Sequence, residues 1–317
     1  MSDAARLGLV VPPARADVTV RPTVTLAVAG SLRPHAAALD ALWSLLQQHP
    51  AGRRLRAYRV GGEAKWRTLG TGNEAPFSTR FGLADAPPGG WQLDMAERPG
   101  TLAPPLGVQV QWRDHPPVLG LPRASLLRLA FDPGTAPAEL TAVAEAALRE
   151  LPFWWGTAGP AFDFSDGSPH VAARRIAAEA KRHWGVDIPH PTAEQWSALD
   201  GLTTVHWLTL VGTRFADRFP GGLDALATAA AAQAPAGLFV RRGLHGLAIA
   251  AGPAPLTGDI NRGDDLTALA AVARLLAPLR LAAPTAAHTA LWPDAFLAAW
   301  MRRFDDPDAW LACRLDD

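Results

Sequence analysis

Strand-length apolar runs and helix-period segments follow one another irregularly along this chain, and no strict strand–helix–strand alternation is sustained. That irregularity is the tightest constraint on the fold. A doubly wound parallel sheet needs a helical crossover after each strand, whereas neighbouring strands joined by turns give antiparallel pairs. The expected fold is α+β, with mixed, largely antiparallel sheets, packed helices and two lobes about a cleft.

Residues 23–29 read as a buried strand. Gly30-Ser31 then turns the chain into a helix whose Leu39, Leu42, Trp43 and Leu46 recur at helical spacing before Pro50. Residues 51–105 are punctuated by glycine and proline and read as irregular, with short strands around Tyr58 and Trp91. Val108, Val110 and Trp112 alternate with glutamines, and 126–131 is a further apolar run beyond a Pro-rich connection. Pro137 opens a helix presenting Leu140, Val143, Ala144, Ala147 and Leu151 on one face. A boundary near 152 then separates an N-terminal α+β lobe, 1–152, from a C-terminal one, 153–317.

The second part opens with a strand ending near Phe164. Ser168 as N-cap, Pro169 at the first helical position and Gly185 beyond the end mark a helix with Ala172, Ile176, Ala180 and Trp184 inward. Its Arg174, Arg175, Lys181 and Arg182 read as a solvent-facing side. A short helix follows at Thr192 and Gln195, then a strand at 205–211 and an Ala-rich helix after Gly221-Gly222. Gly243-Leu244-His245-Gly246 reads as a hairpin turn, Asp264 as a helix cap, and Pro293 as the start of a helix carrying Phe296, Leu297, Trp300 and Phe304.

Charge narrows the partners. Thirty basic residues balance thirty acidic ones, and lysine occurs only at Lys65 and Lys181, so the clustered cations of a nucleic-acid binder are missing and no direct nucleic-acid contact is expected. The apolar stretch at 7–11 is broken by Pro12, Pro13 and Arg15, which is too short for a secretory core. The Ala-rich run 223–236 is too short to span a bilayer and contains Asp224. The expectation is a cytoplasmic protein without a membrane partner.

Familiar catalytic constellations do not assemble. Gly61-Gly62 and Gly70-Thr71-Gly72 match neither phosphate-loop nor dinucleotide spacing, and read as turn glycines. His183 and His190 lie seven apart across Gly185 and Pro189 and lack a third zinc ligand. The run from Asp259 to Asp264 places glycine one position early for a calcium loop and has Ala270 where glutamate is needed. Cys313, the single cysteine, has no sequence partner for a disulfide or a triad. Asp163 and Asp166 read as carboxylates stabilised near a helix start rather than as an acid/base pair. No cofactor is expected. His206 and His245 are acid/base candidates, outweighed by the structural reading of histidines beside strand residues.

Twelve tryptophans are unusual, and tryptophan and arginine dominate protein interfaces. Trp43, Trp184 and Trp300 fall on apolar helical faces. Trp66, Trp91 and Trp310 lie in less regular segments and are candidates for exposed anchors.

From Gly201 to Arg280 the sequence resembles the type VI immunity family, proteins encoded beside toxic effectors of the type VI secretion system. The matching pieces are Val205-His206-Trp207-Leu208-Thr209-Leu210-Val211-Gly212, Pro220-Gly221-Gly222-Leu223, the segment from Ala250 through Gly252-Pro253 and Gly258-Asp259-Ile260-Asn261-Arg262-Gly263, and Pro278-Leu279-Arg280. The resemblance implies a stoichiometric inhibitor that binds a cognate toxin, often a nuclease, and it transfers no catalytic residue. In that reading Trp207, Gly221, Gly222, Gly252, Pro253, Gly258, Gly263, Pro278 and Arg280 build the fold. Asp259, Asn261 and Arg262 hold a loop or line a cleft, and with Trp66, Trp91 and Trp310 they are the candidate partner-binding residues. The competing class is a cytosolic enzyme or small-ligand binder with a cleft near His206, His245 and Asp259. It requires one of these groups to be buried in a polar pocket with a shifted pKa.

Overall fold

The computed structural model describes residues 18–63, 65–70, 76–87, 90–99, 107–164, 169–189, 191–281 and 294–316. Ser168, His190, Pro293, Asp166 and the side chains of Thr192, Phe296 and Cys313 lie outside that description.

Ten strands form one sheet. They are β1 (Val18–Ala29), β2 (Ala57–Val60), β3 (Arg67–Thr68), β4 (Trp91–Ala96), β5 (Gln109–Asp114), β6 (Ala124–Ala130), β7 (Trp155–Phe164), β8 (Leu208–Gly212), β9 (Leu238–Gly243) and β10 (Gly246–Ala251). Their order is β3-β2-β4-β5-β6-β1-β7-β8-β10-β9, and every ladder is antiparallel. The helices are α1 (Ala36–Gln48), α2 (Phe77–Arg80), α3 (Pro137–Glu150), α4 (Pro169–Arg182), α5 (Pro191–Ser197), α6 (Thr213–Ala216), α7 (Gly222–Ala232), α8 (Thr267–Leu276), α9 (Asp294–Asp305) and α10 (Pro307–Asp316). The α+β class is as the sequence predicts. The irregular stretch before residue 105 supplies β2 around Tyr58 and β4 from Trp91, as expected, and also β3, two residues that carry no strand signal of their own.

Period-2 alternation sorts each strand between two apolar layers. Along β6, Ala124 and Leu126 join one cluster while Leu127 and Leu129 join the other; along β10, Leu247 and Ile249 are separated from Ala248 in the same way. Leu39, Leu42, Trp43 and Leu46 of α1 and Leu140, Val143 and Ala147 of α3 cover one face. Ile176 of α4, Leu226 of α7, Val272 of α8 and Trp300 of α9 cover the other. Covering both faces explains why β6 and β7 are buried along their whole length.

Among the described residues one sheet runs continuously through the expected boundary. Residue 152 lies in the link between α3 and β7, and the long β1–β7 ladder, from Val18↔Phe164 to Ala27↔Trp155, carries the sheet across it. The helices also cross over: α3 packs on β7, β9 and β10, while α5 packs back on β6.

Two local expectations are corrected. The strand expected at 205–211 begins only at Leu208, because the His206 backbone N–H donates to Thr209 Oγ1 at 3.0 Å and bends the approach. Asp264 does not cap α8; Asp265 Oδ1 accepts the Thr267 N–H at 2.9 Å, which leaves Asp264 to a loop described below. No helix among the described residues is long and apolar enough to cross a membrane.

Candidate partner-binding surface

The loop after β10 is built around one carboxylate. Asp259 is followed by a 3-10 turn, Ile260–Arg262, and its Oδ1 accepts the Asn261 N–H at 3.0 Å, the short-range bond that aspartate makes two residues on. Arg182, at the end of α4, donates Nε to Oδ1 at 2.9 Å and Nη2 to Oδ2 at 2.8 Å, a bidentate fork, with the His183 ring 3.9 Å away. Asp264 Oδ2 accepts the Asp259 N–H at 3.0 Å, closing the loop on itself. Gly263 ends the turn at φ +65°, and Gly258 passes so close to Gly185 that a Cβ there would lie 2.6 Å from its backbone nitrogen. Asp259 is therefore buried while Ile260, Asn261, Arg262 and Leu256 are exposed. Of the three loop residues proposed as partner contacts, Asp259 holds the loop and Asn261 and Arg262 are displayed. Arg182, read from sequence as a solvated side chain, is the clamp.

The hydrogen bond from Arg182, then that from the Asn261 N–H and the nearby cations, bring the Asp259 carboxyl down from 3.8 to about 2, against the opposing effect of burial. Its folded pKa lies below its unfolded one. Its stabilisation of the loop is thus complete above about pH 4 and is lost as pH falls through about 2. Limited proteolysis at pH 7 is expected to cut residues 257–264 several-fold faster in Asp259→Asn than in wild type. Equal rates would contradict the clamp.

Beside this loop, Trp207, Gly252 and Pro253 stand where two depressions adjoin. The first, about 410 Å³, lies between α3 and the β9–β10 pair and is flanked by the exposed Phe239. The second, about 480 Å³, lies between residues 235–237 and the start of α8, with Leu256 on its rim. Trp207 is locked in place: its indole N–H donates to Gly252 O at 3.1 Å, and its carbonyl accepts the Ala251 N–H at 2.7 Å. Gly252, at φ +88°, donates its N–H to Gly237 O at 2.9 Å. The two depressions share Trp207, Gly252 and Pro253 and are lined mostly by apolar residues.

His206 is fully enclosed. Its Nδ1 accepts the Trp207 backbone N–H at 2.8 Å and its Nε2 donates to Pro160 O at 2.8 Å, so the ring is the neutral tautomer, and burial pushes its pKa down. Both nitrogens serve the fold. His245 sits in the β9–β10 turn beside Gly246, at the far end of the β8–β10 ladder from Ala250 and Leu208, roughly 15 Å of strand away. His206 and His245 do not share a cleft.

Trp91 and Trp310 are corrected from surface to core. Trp91 packs edge-on against Phe77 and donates its N–H to Phe81 O at 2.8 Å, and Trp310 packs on Trp184. Trp66 is half-buried beneath the Arg59 guanidinium. Gly221, at φ +83°, precedes α7 and Gly222 is its first residue. Pro278 lies in the 3-10 turn after α8, and Arg280 binds Leu202 O at 3.0 Å and Asp305 at 3.1 Å, tying that turn to α9. Sequence reasoning missed Arg303, buried under Trp300 and Phe304 with its pKa pushed well down by burial. Nothing in its amphipathic helix distinguished it from an exposed arginine. Among the described residues no group of three or more His, Cys, Asp or Glu is placed to hold a metal ion.

Residues 131–304, which include this loop, match a family of type VI immunity proteins. The chain belongs to that family, TsiV, described as type VI immunity for VRR-NUC. The fold is also that of the Pseudomonas aeruginosa T6SS protein PA0821, with a TM-score of 0.70 and 18% identity, covering 95% of this chain and 86% of that one. No curated protein sequence matches significantly.

Proposed function

We propose that this protein binds a VRR-NUC-type nuclease effector of the type VI secretion system one-to-one in the cytoplasm and so neutralises it. The family membership carries the proposal. The disposition of the motif residues supports it: His206, Asp259 and Arg280 are engaged in holding the fold, while Asn261, Arg262 and the depressions at Trp207 face outward. We assign Asn261 and Arg262 as contacts, with Trp66 at a peripheral position. Binding without turnover needs no acid/base group, and the one half-exposed histidine of the enzyme reading, His245, stands apart from the other two residues.

Co-expression with the toxin encoded beside this gene tests the proposal. Wild type and His245→Ala are both expected to restore growth and to co-purify with the toxin. Rescue without a complex, abolished in a folded His245→Ala variant, would sink the binding reading.

A further inference from the structure

The segment His115-Pro116-Pro117-Val118-Leu119-Gly120-Leu121-Pro122-Arg123 joins β5 to β6 and contains no carboxylate. Its tip is a two-residue hairpin: the Val118 N–H donates to Leu121 O at 3.1 Å and the Leu121 N–H to Val118 O at 2.9 Å. Leu119 and Gly120 have φ of 51° and 76°, the double positive values of a type I′ turn. Asparagine, aspartate and glycine serve that first position with little strain; leucine does not, and Leu119 is the sole non-glycine at positive φ among the described residues. The turn gains nothing from a leucine there, so the strained position points to a role for the side chain itself.

In the isolated chain it touches little. Leu119 is 95% exposed, Leu121 60% and Val118 37%, and Trp196 at their base is 46% exposed. These four make up half of the exposed large apolar side chains among the described residues. The platform beneath them is rigid. Arg123 donates to Pro116 O at 2.7 Å and to Gln195 Oε1 at 3.0 Å, and its guanidinium lies 5.1 Å over the Trp196 ring, so hairpin and α5 move as one. Three prolines restrict the flanking backbone further.

The charge pattern selects the occupant. Arg123 is buried and committed internally, and His115 is held neutral, its pKa lowered to about 4 by burial and then by Arg123 and Arg113. An anionic lipid surface or a nucleic acid would find no available cation on the tip. A rigid, uncharged, apolar projection instead fits an apolar depression on a folded protein.

We propose that the β5–β6 hairpin is an anchor for the effector, with Leu119, flanked by Val118 and Leu121, entering an apolar pocket of the toxin. This rests on the immunity reading above and adds a contact outside the family-matched residues 131–304. It is separate from the loop at Asn261. The register Ala29↔Ala124, Ala27↔Trp155, Trp155↔Val211 and Val211↔Leu247 puts the hairpin at the Gly246 end of β10, whereas the loop leaves from the Ala251 end.

Leu119→Asn tests the anchor cleanly, because asparagine suits the turn while removing the apolar side chain. Leu244→Asn, at the exposed β9–β10 turn, is the control. Affinity for the toxin encoded beside this gene is expected to fall at least 30-fold in Leu119→Asn and to stay within about twofold in Leu244→Asn, with the melting temperature of Leu119→Asn equal to or above wild type. Unchanged affinity in Leu119→Asn would overturn the anchor while leaving the immunity reading intact. A lowered melting temperature would overturn the strain argument. Self-association of wild type that Leu119→Asn abolishes would reassign the tip to a second copy of this chain. If wild type itself does not bind, the immunity reading fails and this occupant with it.

Discussion

Gly159→Ala is expected to destabilise the protein by about 3 kcal/mol or more and to lower its melting temperature by roughly 5 °C. Gly159 lies in β7 between β1 and β8, with φ +150°, where side chains are rarely tolerated. A Cβ placed on it would lie 2.1 Å from His206 Nδ1 and Cε1. The imidazole cannot swing away, because one nitrogen is tied to Pro160 O and the other to the Trp207 N–H. Glycine and histidine are thus a matched pair. In Gly159→Ala with His206→Ala, the clash is gone but Pro160 O and the Trp207 N–H lose their partner, so only part of the stability returns. Thermal melts of the two single variants and the double variant check this; a Gly159→Ala protein that melts with wild type would contradict it.

Asp163→Ala is expected to cost a similar or somewhat larger amount, about 3–5 kcal/mol in urea unfolding at pH 7. Asp163 is buried in β7, where its Oδ2 pairs with Arg21 Nη1 at 2.7 Å and its Oδ1 with Arg128 Nη2 at 3.0 Å. Arg21 also donates Nε to Phe131 O at 2.8 Å. One carboxylate thereby pairs with two buried guanidinium groups, one from the adjacent β1 and one from β6 beyond it. Deleting it removes the carboxylate that two guanidinium groups face in a low-dielectric interior, and breaking a buried pair by removing one partner is costly. Asp163→Asn keeps the shape and acceptor but not the charge, and is expected to fall between the two. A loss under about 1 kcal/mol for Asp163→Ala would show that water reaches the cluster.

How far the sequence discloses this protein depends on the range of the interaction. Local periodicity identifies α1, α3 and α4 from residues such as Leu39, Leu140 and Ile176, and local turn chemistry places the Gly243–Gly246 hairpin and the start of α7 at Gly221-Gly222. The type VI immunity motifs point to the family, and the glycines among them mark close backbone approaches such as Gly258 on Gly185. Partnerships across long separations leave no such trace. Asp163 sits just before α4 in sequence, which favours a helix-start reading, yet its partners lie 142 and 35 residues away. Trp91 and Trp310 have the composition of interface anchors, but exposure is set by the sheet and helices that enclose them. The Leu119 tip is the opposite case: Leu-Gly between prolines was visible as a Pro-rich connection, and only backbone geometry shows that the leucine is strained and exposed.

The central claim is that this chain acts by stoichiometric binding, and the most direct test is a titration of the purified toxin's nuclease activity with the purified protein at toxin concentrations well above the dissociation constant. The account predicts that activity falls linearly and reaches its floor at one equivalent, with a one-to-one complex recovered by size-exclusion chromatography. Complete loss of activity at a small fraction of an equivalent, with no complex recovered, would mean that the protein turns over and would contradict it.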